Sequence, residues 1–581
     1  MKKYIKEILF LIQGDNLAIA RLVLFFLLSS IMDLIGIGLI IPFISLITDS
    51  EGIKVSELSN ALANLGYVAE PKEIIILSGI SIIFIFLTKA TISILVFRSI
   101  LDFCHKQGVN LRSSLMKSYQ SLPYTDFIQR DSSKYIYRVN NAVELFLREI
   151  LQPFLRSISE GLTIIFIFIL LAWFDFRALF MLLVLLGSAG LIYDLLFREK
   201  LYGYGKMVND YSTRIVKNVS ESVNGYKEIK VYDKEEYFHD IVKKASLKYA
   251  KASKNSEIIA NMPRYIWEVI IIIFIVLLSF IALFYNQLQS FFITIGLFGV
   301  AAVRLIPSSS SLINGISKLR HGRDTVNLIF DDLTKNQKYN PVIEDISLKY
   351  SEFESLCLKN VEFKYPKSAI NSVQNLSMDF RKGQTIGITG PSGSGKTTIV
   401  DIILGFLNHT SGEIYYNGEL VDSSQKKWQS RIAYLPQNAF IISDSIKNNI
   451  TFGINDCDVD QIALNKSIHD AQLYKVIDKL PHGIDTTLGE RGVNLSGGEM
   501  QRISIARALY QNRDILIMDE STSALDKENE KNIMKVIEKF KKDKAIIIIS
   551  HSFSVLKFAD IIYMIENGSI KKSGTYSEII H

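Results

Sequence analysis

Three short stretches of this sequence carry glycines and charged side chains at spacings suited to phosphate chemistry. The first, Gly390-Pro391-Ser392-Gly393-Ser394-Gly395-Lys396-Thr397, fits G-x-x-x-x-G-K-[ST], with an apolar strand expected at 384–389 and a helix at 397–404. Glycines there let backbone N–H groups close on phosphate oxygens, and a helix N-terminus adds a favourable dipole. Lys396 can reach the outer phosphates and the Thr397 hydroxyl can ligate Mg²⁺. The second, Ile515-Leu516-Ile517-Met518-Asp519-Glu520, is an apolar strand ending in two acids. Asp519 is placed to hold the same Mg²⁺, and Glu520 to polarise an attacking water. The third, Leu495-Ser496-Gly497-Gly498-Glu499, opens a helix whose N-terminus is bare of bulky side chains, a second anion-binding device more than 100 residues from the first.

The elements that must position these residues fall into two kinds. Six apolar runs, 22–47, 74–97, 154–174, 178–197, 265–285 and 291–314, are each long enough to cross a bilayer, and none follows them. The third and fourth are joined at a polar bend around Asp175, the fifth and sixth by 285–290, so both pairs read as hairpins. Lys and Arg crowd the segments 98–153 and 198–264, whereas the 48–73 loop carries only Lys54 and Lys72 against five acids. The positive-inside rule puts both termini and the two long basic loops on the cytoplasmic side. Those loops lack strand signals, so the spanning helices are expected to run on into the cytosol and turn near 122–124 and 223–226. Ile5, Ile8, Leu9 and Ile12 recur at helical spacing, predicting an amphipathic helix at the membrane surface over 1–20. The resulting division is 1–20, a six-span all-α domain over 21–335, a linker over 336–347, and an α/β domain over 348–581, where short β-branched runs alternate with helices.

Composition excludes other classes. The chain has 581 residues, 48% hydrophobic and 21% charged, which rules out disorder or a fibrous repeat. A net charge of +6 gives no basis for nucleic-acid binding, and three scattered cysteines make neither a disulfide scaffold nor a zinc site.

Taken in order, 390–397, Gln437, 495–499, Asp519-Glu520, Ser523-Ala524-Leu525-Asp526 and His551 resemble the nucleotide-binding domain of ATP-binding cassette (ABC) transporters, here following six spans as in the exporter-type half-transporters. The resemblance implies an ATP-hydrolysing translocator that uses ATP and Mg²⁺ and works as a homodimer. By it, Gly390, Ser392, Gly393, Ser394, Gly395, Lys396, Thr397 and Thr398 would cradle the phosphates, and Tyr365 would stack on adenine. Thr397, Gln437 and Asp519 would attend the metal, and Glu520, His551 and Gln437 the hydrolysis. Ser496, Gly497 and Gly498 would grip the nucleotide of the partner subunit, with Asp526 shaping the dimer contact. Glu499 departs from the usual Gln, and Ser552 from the usual Arg.

Substrate evidence has to come from charges inside the spans. Asp33, Lys89, Arg264, Glu268 and Arg304 lie there or at a span's cytosolic start. One reading is plain pairing, Arg264 with Glu268 and Asp33 with Lys89 or Arg304. The other is that three cations against two anions leave a positive cavity, with Lys89, Arg264 and Arg304 receiving an anionic head group. The segments 33–43, 262–264 and 304–308 resemble bacterial flippases of undecaprenyl-pyrophosphate-linked oligosaccharide, which act in protein N-glycosylation. The resemblance implies a lipid-linked glycan substrate, membrane lipid as a partner, and a bacterial inner membrane location. An exporter of lipid, drug or peptide is the alternative.

Overall fold

A computed structural model describes residues 2–12, 16–48, 71–128, 132–285, 288–336, 352–366, 368, 370–421, 428–489, 495–522 and 526–580. The expected linker and most of the 48–73 loop lie outside these. The chain divides into two compact units, one of Met1–Leu122 and Arg130–Pro341, the other of Pro123–Gln129 and Val342–His581.

The first unit is helical. A short helix α1 (Lys2–Leu11) is followed by α2 (Asn16–Thr48) and α3 (Pro71–Gln120). After α4 (Ser132–Tyr137) come two π-helical segments, Arg138–Ala142 and Phe146–Leu151. They lead into α5 (Gln152–Phe174), α6 (Phe176–Asn224), α7 (Glu235–Tyr285), α8 (Leu288–His321) and α9 (Arg323–Asn336). Six of these helical stretches are long and apolar enough to cross a membrane. At about 1.5 Å per residue, helices of 50, 49 and 51 residues outrun a hydrocarbon layer of about 30 Å by more than its own thickness. The bends fall where the sequence puts them: α3 ends before Pro123, and α6 stops at Gly225 before a new turn at Tyr226–Val231. The α5–α6 hairpin turns on Asp175, whose carboxylate accepts from the Arg177 and Ala178 N–H groups at 3.0 and 3.1 Å and so caps α6.

Helix α1 spends its apolar face on protein. Tyr4, Ile8 and Leu11 are buried in a core shared with α3, the π-helical region and α9, and the Tyr4 hydroxyl donates to the Leu319 carbonyl at 2.7 Å. Ile5 and Leu9 stay exposed and are what α1 can offer a membrane surface. In the same core Asp332 on α9 is 4% exposed, accepts from the Tyr119 hydroxyl at 2.6 Å and is paired with Arg138 at 2.5 Å.

The second unit holds two sheets. An antiparallel one has the order β2-β1-β4-β5, from β1 (Ser355–Phe363), β2 (Val373–Arg381), β4 (Ser411–Tyr416) and β5 (Glu419–Leu420). The other has the order β10-β9-β3-β8-β7-β6, from β3 (Thr385–Thr389), β6 (Ile432–Leu435), β7 (Ile515–Asp519), β8 (Ala545–Ile549), β9 (Ile561–Glu566) and β10 (Ser569–Gly574). All its neighbours are parallel except β9 with β10. Strands β3, β7 and β8 are buried along nearly their whole length because both faces of the sheet are covered, as a parallel sheet requires. Tyr124, in the segment 123–129 that belongs to this unit, stacks on Phe406 at 5.2 Å.

The Asp332 site yields a stability test. Arg138→Met removes the cation paired with a buried carboxylate and should cost about 3–5 kcal/mol. Arg138→Met/Asp332→Leu should recover most of that in thermal unfolding. If the single variant melts like wild type, the ion pair does not hold α9.

Candidate functional site

Strand order explains how residues far apart in sequence meet. Strands β3, β8 and β7 lie side by side, with Ile388 level with Ile549 and Ile549 level with Asp519, so the segments leaving their C-terminal ends share one edge. Ligands in open parallel sheets bind at that edge. After β3 the chain turns through Gly390, at φ +154, and Gly395, at φ +103, into the helix α10 (Lys396–Ile403). A Cβ at Gly390 would overlap the Ile565 carbonyl, and one at Gly395 would meet Ser372 O at 2.7 Å. At these two positions the turn therefore excludes a side chain and lets the backbone pass close to its neighbours. The Lys396 ammonium folds over this turn, donating to the Gly390 and Pro391 carbonyls at 2.9 Å each. Desolvation lowers its pKa, while Glu520 and Asp519 pull it back up.

Glu520 follows β7 in left-handed backbone geometry, φ +47, which is unfavourable for a side chain of its size. Its N–H donates to the Ile549 carbonyl at 2.9 Å, fixing the residue to β8. The carboxylate sits between Gln437, whose Nε2 donates at 2.8 Å, and His551, whose Nε2 lies 3.3 Å from the other oxygen. Asp519 accepts from the Tyr434 hydroxyl at 3.2 Å.

A cleft of about 890 Å³ is lined by Ser392, Gly393, Gly395, Lys396, Thr397, Thr398, Gln437, Asp519, Glu520 and His551 together. Gly390 and Ser394 support the turn from beneath, Ser394 being buried. The cleft is also walled by Asn371, Ser372, Asn567 and Gly568. Asn567-Gly568 reads in the sequence as a hairpin turn, and nothing in its composition marks it as a ligand wall. Tyr365 stands edge-on to Phe363 at 4.9 Å, with its hydroxyl 3.4 Å from Thr398 Oγ1.

The acids of this region repel one another. Desolvation first, then Glu520, raises the pKa of Asp519. Asp401 on α10, unremarked in the sequence, is pushed up to about 6 by burial and by Asp519. A dication beside Asp519 would relieve this strain, and Thr397 supplies a hydroxyl for it. Among the described residues no three His, Cys, Asp or Glu form a metal cage. A Mg²⁺ held here would have to complete its shell from phosphate and water, as that ion does with nucleotides.

Ser496, Gly497 and Gly498 lie elsewhere on this unit and do not line the cleft. Ser496 caps α11 (Gly497–Gln511) in a capping box, in which the Glu499 carboxylate accepts from the Ser496 N–H at 2.7 Å. The departure at 499 thus does a structural job. Asp526 begins α12 (Lys527–Phe540) and bonds Asn529. Residues 523–525 lie outside the described residues.

In the helical unit the intramembrane charges cluster, with one member the sequence reading passed over. Asp33 on α2 is 1% exposed and contacts both Lys89 on α3, at 2.6 Å, and Arg304 on α8, at 2.8 Å. Arg304 also lies 3.4 Å from Glu160 on α5, which accepts from Ser308 at 2.7 Å. Two cations therefore face two anions, and the expected local excess of positive charge is absent from this cluster. Glu160 was visible as an acid inside the third apolar run. Arg264 does not join. It pairs with Glu268 one turn along α7 at 3.4 Å, both exposed.

Comparison with known proteins agrees with this arrangement. Residues 373–523 match the family "ABC transporter", and residues 19–304 match "ABC transporter transmembrane region". An "ATP-dependent lipid A-core flippase" of Pasteurella multocida is 41% identical over 226 residues, 39% of each chain. One of the same description from Photobacterium profundum is 28% identical over 480 residues, covering 82% of this chain and 81% of that one. The fold matches the "Structure of a bacterial Atm1-family ABC exporter with ATP bound" with a TM-score of 0.79, over 98% of this chain and 96% of that one, at 19% identity.

Two variants test the cleft. Glu520→Gln should keep ATP binding and lower steady-state hydrolysis by about 10²–10³-fold, whereas Lys396→Ala should weaken nucleotide binding itself. Near-normal turnover in Glu520→Gln would remove that residue from catalysis. Asp401→Asn tests the electrostatics. A carboxyl raised from 3.8 to about 6 favours the fold below its unfolded value, and that contribution is lost as pH rises through 6. The asparagine variant, free of nucleotide, should therefore gain about 1–2 kcal/mol over wild type at pH 8, after allowance for solvent screening, and little at pH 4. Equal melting curves at pH 8 would refute the shift.

Proposed function

Because the chain belongs to the ABC transporters, as an exporter-type, multi-pass membrane protein whose ATPase unit hydrolyses ATP to drive translocation, we propose that its cargo is a phosphorylated, glycan-bearing lipid. We propose further that this is a polyprenyl-pyrophosphate-linked oligosaccharide, flipped across a bacterial inner membrane with the ATPase unit in the cytoplasm, for protein N-glycosylation or a related glycan pathway. The carrying observation is the charged cluster of Asp33, Lys89, Glu160 and Arg304 inside apolar helices. Charges at that depth are expensive unless used. A hydrophobic drug would have no need of them, and a pyrophosphate can replace the two carboxylates as partner of Lys89 and Arg304.

At the ATP cleft, Lys396 and the turn before it would hold the phosphates, and Tyr365 would serve the adenine. Thr397 and Asp519 would take Mg²⁺, whose chemistry there is to neutralise the charge developing on the phosphate oxygens. Glu520, oriented by Gln437 and His551, would accept the proton of the attacking water. The signature residues Ser496, Gly497 and Gly498 do not reach their own cleft, which supports a homodimer in which each copy completes the other's site, with Asp526 at the contact.

A second reading, transport of a lipid A-core-like molecule, is favoured by the names of the relatives in Pasteurella and Photobacterium. Both cargoes carry phosphate on a hydrocarbon anchor. Reconstituted vesicles loaded with either lipid, or with a neutral drug, separate the readings by which one moves on ATP addition.

The membrane cluster makes the decisive variant different from simple removal of the cations. Lys89→Met/Arg304→Met strands Asp33 and should fail to accumulate, losing roughly 3–5 kcal/mol. Adding Asp33→Asn should restore folding, because the fully buried carboxylate is neutralised and Glu160 keeps the Ser308 hydroxyl at 2.7 Å and Arg156 at 3.9 Å. Vesicles of that triple variant should then show little flipping. Wild-type flipping in the folded triple variant would exclude the cluster from cargo recognition.

A further inference from the structure

Between α3, the second π-helical segment with the start of α5, and the end of α8, a recess of about 450 Å³ opens within the helical unit. Its charged lining is Arg148, Arg156, Lys318 and His105, with Glu144 and Glu149. We propose that this recess is a loading station for the phosphate or pyrophosphate head of a lipid in the cytosolic leaflet, from which the head passes to Lys89 and Arg304. This rests on the reading of the cargo as a phosphorylated lipid.

Depth is the first argument. The recess begins at Leu101 on α3, just past Arg98, the first charged residue on the cytosolic side of that apolar span. Arg156 and Lys318 bound the apolar parts of α5 and α8 at their cytosolic ends. That is the level of head groups, not of acyl chains. Arg304 lies about 21 Å further along α8 from Lys318, at about 1.5 Å per residue.

Charge is the second. Arg148 pairs with Glu144 at 2.5 Å and Lys318 with Glu149 at 2.8 Å. Both glutamates are about two-fifths exposed, at 39% and 41%. Pairs so open to water contribute little. A phosphate, with more charge and a geometry that guanidinium groups match in bidentate fashion, can displace a glutamate that swings to solvent. Arg156 has only a loose partner, Glu160, at 3.9 Å.

Backbone shape is the third. Phe146–Leu151 is π-helical, and another π-helical segment stands just before it at Arg138–Ala142. Such segments are rare, widen the helix, and recur at functional sites. Here they carry Leu147, Arg148 and Glu149 to the recess. Asn314 Oδ1 in its wall and Ser157 Oγ beside Arg156 are buried without a hydrogen-bond partner among the described residues. A head group bearing hydroxyls and phosphate oxygens could answer both.

The route onward is continuous. Arg156 meets Glu160 at 3.9 Å, Glu160 meets Arg304 at 3.4 Å, Arg304 meets Asp33 at 2.8 Å, and Asp33 meets Lys89 at 2.6 Å. An anion leaving the recess exchanges one carboxylate partner for the next and is never opposite an unanswered charge.

The test is equilibrium binding of a fluorescent geranylgeranyl pyrophosphate to the full-length protein in phosphatidylcholine nanodiscs, without nucleotide. Arg156→Gln/Lys318→Gln should weaken binding by roughly 10–100-fold, while Arg156→Lys should stay within a few-fold of wild type. Inorganic pyrophosphate and vesicles with phosphatidic acid should compete, whereas phosphate-free geranylgeraniol should not. Should the double variant unfold, Lys318→Gln alone, at an exposed pair, carries the measurement. Unchanged binding in the recess variants, or equal competition by geranylgeraniol, would each overturn the recess. If the wild type binds no phosphorylated lipid at all, the cargo reading falls, and the recess assignment with it.

Discussion

A charge inside a hydrocarbon layer has to be answered by another charge, and in this chain one carboxylate, Asp33, answers two. That constraint ties α2 to α3 and α8, and Glu160 extends it to α5 through Arg304 and Ser308. Four of the spanning helices are thereby held in register at one depth by side chains that cannot separate without exposing ions to lipid. Greasy contacts alone would give no such register, because lipid tails are as apolar as the helix faces. Arg264 and Glu268 show the contrast. One turn apart on the surface of α7, they satisfy each other and tie nothing else.

The ATPase unit solves a different problem, how to bring acids and a cation together without letting them collapse. Lys396 is held by two carbonyls of its own turn rather than by Glu520 or Asp519. Glu520 is turned away by its left-handed backbone and held by Gln437 and His551. Burial first, and the neighbouring carboxylate second, raise the pKa values of Asp519 and Asp401. A Mg²⁺-nucleotide would bring the missing positive charge for the acids and the negative charge for Lys396, and would so complete an electrostatic arrangement that is poor without it.

What could be read in the sequence was whatever follows from composition or from a local pattern. Apolar length announced six spans, Pro123 and Gly225 announced the bends of the long helices, and Asp175 announced a hairpin that its own side chain caps. The phosphate turn declared itself by glycine spacing. What escaped depends on three-dimensional neighbours. Glu160 looks like one acid in an apolar run until α8 brings Arg304 to it. Asp401 looks like a helix surface residue until β7 sets Asp519 beside it. The π-helical segments leave no compositional trace, since they differ from α-helix only in which carbonyl each N–H chooses. Of the four residues whose spacing predicts an amphipathic helix, Ile8 and Ile12 are buried in a protein core while Ile5 and Leu9 are exposed, and the spacing alone cannot say which of them meets protein.

The neutrality of the membrane cluster bears on how cargo could move rather than merely bind. A cavity of unpaired cations at mid-membrane would hold a pyrophosphate tightly, but it would be unstable when empty and slow to release when full. A balanced cluster avoids both. Replacing a buried ion pair by another well-matched partner is close to neutral in free energy, whereas breaking one outright is strongly unfavourable. An incoming phosphate that takes the place of Asp33 or Glu160 therefore meets a nearly level exchange, provided the displaced carboxylate finds the next cation in the chain. Glu160, Arg304, Asp33 and Lys89, the neutral cluster, alternate in sign along contacts between 2.6 and 3.4 Å, and Arg156, outside it, lies 3.9 Å from Glu160. Under the proposed reading of the cargo, such a row would let an anion advance by exchange of partners, leaving ATP hydrolysis to supply direction rather than to lift a charge across the hydrocarbon unaided.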